Sequence, residues 1–161
     1  MNRRDGLILT GAITACLGLG ILAGLFYPHW KSGLPTHPAQ AIVLKADPLC
    51  NPVGATCVAG NEAFTITLEL TDLTKPLTFF PVRVHLTGTQ APEVKKVMIS
   101  FTMLNMDMGF NRFDLRRQAE TAWEGQALLP ICTTGRRDWR VTVDVVSEPP
   151  YVGEFYLLTG F

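Results

Sequence analysis

The sequence predicts an all-β domain, an immunoglobulin-like antiparallel sandwich, preceded by one N-terminal transmembrane helix. Three observations predict it. After residue 40, β-branched and aromatic residues recur in short runs with turn residues between them. Two of these runs alternate strictly between apolar and polar positions, and no window there has a convincing period of 3.6. Before residue 40 the chain is built differently, with a long uncharged stretch followed by a proline-rich one.

The uncharged stretch runs from Gly6 to Tyr27 and reads GLILTGAITACLGLGILAGLFY. As a helix it is about 33 Å long at about 1.5 Å per residue, enough to cross a bilayer core. Arg3 and Arg4 precede it, and Tyr27, His29 and Trp30 follow at the depth of an aromatic belt. The positive-inside rule therefore puts the N-terminus in the cytoplasm and the rest of the chain outside it. Ile13-Thr14-Ala15-Cys16 also reads as a lipobox, and a short apolar run after arginines also reads as a cleaved signal peptide. Both alternatives expect a polar stretch soon after the cut, whereas LGLGILAGLF continues apolar past Cys16. Residues 1–30 are accordingly read as an uncleaved anchor, with lipidation of Cys16 as the competing reading. The Gly20-xxx-Gly24 spacing suits close approach of another helix.

Pro28, Gly33, Pro35 and Pro38 rule out a continuing helix, so residues 31–40 read as a semi-extended stalk. The outer domain spans 41–161, and its strand candidates are AIVLKAD, EAFTITLEL, LTFFPVRVHL, VKKVMISFTML, FNRFDLR, AWEGQALL, DWRVTVDVV and YVGEFYLL. Alternation is strict at Phe64-Ile66-Leu68-Leu70 and at Val141-Val143-Val145. Pro81, inside its run, predicts an edge strand or a bulge.

Composition excludes several function classes. The chain carries 14 Lys+Arg and 14 Asp+Glu; without Arg3, Arg4 and Asp5 of the anchor the remainder has 12 basic and 13 acidic groups. That balance gives no electrostatic footprint for nucleic acid. GxSxG, HExxH and GxxxxGK[ST] are all absent and serines are scarce, so the chain is not expected to be an enzyme. A Cys132–His85 nucleophile pair lacks a visible third, orienting group.

Cys50 and Cys57 enclose six residues with turn formers Asn51, Pro52 and Gly54, a spacing that predicts a disulfide stapling a loop in an oxidising compartment. The spacing is neither CxxC nor CxxCH, which excludes thioredoxin-like redox work and covalent haem.

The candidate site is the segment LNMDMGF. Met106 and Met108 lie two residues apart, so in an extended strand both thioethers face one side, and Gly109 lets the backbone turn after them. Thioether sulfur is a soft ligand suited to copper(I) and needs no deprotonation. Cys132, in LPICTTGRRDW, offers a thiolate to complete a three-coordinate set. The metal site is therefore expected at Met106, Met108 and Cys132, with copper(I) as its ion and His85 as a fourth candidate. The plainer reading keeps Met98, Met103, Met106 and Met108 as gap-filling core residues and Cys132 as a buried thiol. Arg112, Arg116, Arg117, Arg136, Arg137 and Arg140 crowd the segments around AWEGQALL. They read as a solvated, salt-bridged face, or as a docking patch for an acidic partner or lipid head groups.

Met106-Asp107-Met108-Gly109, Trp123-Glu124-Gly125-Gln126-Ala127, Pro130 and Gly135-Arg136-Arg137-Asp138-Trp139-Arg140-Val141, set behind a single anchor, resemble the FixH/YtkA-like group of membrane-anchored bacterial proteins over roughly residues 60–146. The resemblance implies an immunoglobulin-like sandwich and a role around copper, in haem-copper oxidase assembly or as a copper-transport accessory. Only Met106 and Met108 carry over. Asn105 and Asp107 stand where those proteins often have proline or an added histidine, and Cys132 has no counterpart in the pattern.

The expected protein is thus a single-pass protein of the bacterial inner membrane whose periplasmic domain binds or delivers copper(I). Its expected partners are membrane-embedded respiratory or copper-handling proteins. The alternative is a metal-free accessory or scaffold subunit that docks through its arginine-rich face and its transmembrane helix.

Overall fold

In the segment Phe64–Leu70, buried and half-exposed residues alternate without a break, and Phe64, Ile66, Leu68 and Leu70 all point into one core. A computed structural model describes residues 41–73, 75–103, 111–131 and 135–160. The expected anchor over 1–30, the stalk over 31–40, and Met106, Met108 and Cys132 lie outside the described residues. Among the described residues no helix is long and apolar enough to cross a membrane.

The described chain is all-β. Its strands are β1 (Ile42–Lys45), β2 (Cys57–Gly60), β3 (Phe64–Leu70), β4 (Phe79–Gly88), β5 (Lys96–Met103), β6 (Arg112–Arg117), β7 (Ala122–Leu128), β8 (Asp138–Val146) and β9 (Tyr151–Leu158), with one short 3-10 turn at Ala91–Glu93. Each of the eight apolar runs becomes a strand. β2 is the addition, and its brevity and small residues, Cys-Val-Ala-Gly, hid it.

The strands form one sheet in the order β1-β9-β8-β5-β6-β7-β4-β3-β2. Among the described strands only β1 and β9 pair in parallel; an isolated parallel bridge also joins Val53 to Leu70. β6 holds the two halves of the sheet together: Arg112–Leu115 pair with β5, then Arg116 and Arg117 pair with β7. At the outer edges an isolated bridge joins Ala46, just after β1, to Ala59 of β2, so the sheet curls into a nearly closed barrel. Closure leaves little exposed edge for unwanted strand pairing.

The interior is filled from every strand. Phe64, Phe80, Phe101 and Phe155 are fully buried, and Phe80 meets Phe101 edge to face at 5.7 Å between ring centres. Phe64 stacks on Tyr151 at 4.2 Å, joining β3 to β9 across the barrel. In β8 the inward row Trp139, Val141, Val143 and Val145 follows the expected alternation, yet Thr142 and Asp144 on the other face are buried too. Arg112 of β6 reaches over that face, with its guanidinium 3.9 Å from the Asp144 carboxylate.

Pro81 corrects one expectation, because β4 lies between β3 and β7 and is neither an edge strand nor bulged there. The β3–β4 ladder ends at Leu70↔Val82, and the Pro81 carbonyl accepts a bond from Thr71 N–H at 3.2 Å. The amide that proline lacks would point the same way, toward Thr71, so this pair keeps one of its two bonds and the β3–β4 ladder stops beside it.

Cys50 and Cys57 form the expected disulfide, with Cα atoms 5.8 Å apart. It ties the β1–β2 loop to the buried start of β2, and Asn51 Nδ2 in that loop donates to the Leu158 carbonyl at 3.1 Å. At the other end of the barrel, Arg117 donates to the carbonyls of Pro92 and Glu120 at 3.1 and 3.0 Å, and to that of Val94. Its guanidinium also lies 4.6 Å from the centre of the Trp123 ring.

Gly88 closes β4 with φ near +133°, and a Cβ there would lie 2.5 Å from the Ala63 carbonyl oxygen. Both the backbone angle and the backbone clash oppose any side chain. Gly88→Ala is expected to destabilise the domain by about 1–3 kcal/mol. A thermal melt superimposable on that of the parent chain would mean the β3–β4 closure differs from that described.

Candidate functional site

Register fixes which loops meet. Met103, the last residue of β5, pairs with Trp139, the second residue of β8. Segment 104–110 leaves the end of β5, and segment 132–134 lies a few residues before β8 begins. The described residues that border segments 104–110 and 132–134 in sequence thus include hydrogen-bonded neighbours, Met103 and Trp139, at one end of the barrel. Phe79↔Leu128 and Asp138↔Leu158 put the start of β4 and the ends of β7 and β9 at that end as well. The chain enters β1 at the other end, where Ile42 pairs with Tyr151.

The bases of both loops are anchored. Asn111 accepts from the Phe101 N–H at 3.1 Å through its carbonyl, and its side chain donates back to the Phe101 carbonyl at 3.4 Å. Thr159 N–H donates to the Arg137 carbonyl at 3.0 Å, holding the approach to β8 against the end of β9. Arg136 grips Asp138 with Nε 3.0 Å from Oδ1 and a second contact from its terminal nitrogen. That hydrogen bond holds the Asp138 carboxyl below its ordinary value of 3.8, against an opposing effect of desolvation. The pair is thus formed at neutral pH and is lost only on acidification through the lowered value.

A cleft of about 180 Å³ opens at this end between the approach to β4 (Pro76), the β7–β8 connection (Pro130, Ile131, Arg136, Arg137) and the base of β8 (Trp139). Trp139 is 4% exposed, and its indole nitrogen has no hydrogen-bond partner among the described residues. At the same end of the barrel, Leu77, Phe79 and Ile131 are each more than half exposed. Sequence reading passed over these residues. The signal for Trp139 was present, since the alternation of Val141, Val143 and Val145 extends back to it.

The other candidates sort as follows. Met103 is a core residue, and Met98 is buried on the opposite face of β5, so these two fit the gap-filling reading. His85 is exposed on the outer face of β4, six residues from its start at Phe79, which is roughly 20 Å along the strand. That distance separates it from the loop end. Among the described residues, no group of three or more His, Cys, Asp or Glu side chains converges to hold a metal ion. The arginines do not share one face. Arg117 caps the far end, Arg112 lies over the outer face of β5 and β8, and Arg136 and Arg137 border the cleft.

No family model matches the chain. No curated protein and no solved structure matches it either.

Proposed function

We propose that the chain is a membrane-anchored periplasmic protein that binds copper(I) through Met106, Met108 and Cys132 and holds or delivers it during assembly of a haem-copper oxidase. Its partners in this reading are membrane-embedded respiratory or copper-handling proteins. The observation that carries it is the pairing of Met103 with Trp139, which sets the bases of the two sulfur-bearing loops side by side. Soft thioether and thiolate donors suit copper(I). The Cys50–Cys57 disulfide is in keeping with an oxidising compartment, where thioethers persist as ligands.

An immunoglobulin-like outline belongs to the same proposal. The order β3-β4-β7-β6 follows that of strands A, B, E and D in such sandwiches, and β5-β8-β9 follows C, F and G. β1, β2 and the placement of the disulfide depart from the pattern.

A metal-free scaffold is the second reading, favoured by the exposed Leu77, Phe79 and Ile131 at the same end. One experiment separates the two. The full chain in lipid nanodiscs, with Cys132 reduced, is titrated with copper(I) against a competing chelator, and X-ray absorption counts the sulfur neighbours. Two or three sulfurs at about 2.3 Å are expected, by analogy with other thiolate bonds. Met106→Leu/Met108→Leu is expected to weaken binding by at least about tenfold. Equal affinity in that variant sinks the copper reading and leaves the scaffold.

A further inference from the structure

We draw no further inference here: the strongest candidate, the exposed apolar patch of Leu77, Phe79, Ile131 and Leu158 at the end of the barrel where β4 begins and β9 ends, carries nothing because nothing in the structure shows what covers it.

Discussion

Phe101→Ala is expected to destabilise the domain by about 3–5 kcal/mol, the largest effect of any single substitution considered. Phe101 is fully buried on β5, an inner strand paired on both sides, where it meets Phe80 edge to face and Phe113 at 6.4 Å. Truncation removes the buried ring and both aromatic contacts, and the surrounding strands are held in register by ladders on both sides of β5. Such a frame collapses little around a void, so the cavity term adds to the transfer term. Against a typical total of about 5–15 kcal/mol, this takes a large share of the stability. Urea unfolding followed by tryptophan fluorescence measures it. A loss below about 1 kcal/mol would mean that Phe101 is not packed in the core as described.

Removing the disulfide by Cys50→Ala/Cys57→Ala is expected to cost about 2.5 kcal/mol, the loop-closure value for a ring of about eight residues. The same loop carries Asn51, whose side chain reaches the end of β9, and Val53, which forms an isolated bridge with Leu70. The staple therefore fastens the thinnest part of the barrel, where β1 and β2 approach without a continuous ladder. Urea midpoints with and without a reductant test this in the parent chain, and the double variant should show no response to reductant. If reductant leaves the parent midpoint unmoved, the bond contributes nothing to folding.

Much of the fold was legible because burial in a sheet has a period of two. Phe64-Ile66-Leu68-Leu70 announced β3 directly, and the spacing of Cys50 and Cys57 announced their bond. Other elements resisted for physical reasons. β2 is four small residues whose strand character comes from pairing with β3, a long-range effect that local composition does not carry. Pro81 looked like an edge marker because the end of the β3 ladder beside it is set by a neighbouring strand. Met106, Met108 and Cys132 were singled out by their donor chemistry alone, and they lie outside the described residues. Only the register Met103↔Trp139 puts the two loop bases together, and register between distant strands has no local signature. Trp139 was overlooked because its interest lies in an indole N–H left without a partner, which only packing reveals.

The parallel pairing of β1 with β9 joins residues about 110 positions apart in sequence. During synthesis at about 5–20 residues per second, β1 therefore waits on the order of 10 s for its partner. Through that interval Leu44 lacks its burial, and Ile42 and Ala46 lack acceptors for their amides, which in the finished barrel are the carbonyls of Pro150 and Glu154. The newborn domain is thus an open sheet with a sticky first strand, vulnerable to pairing with other chains until β9 arrives. Its yield in the cell is governed by how that delay is shielded.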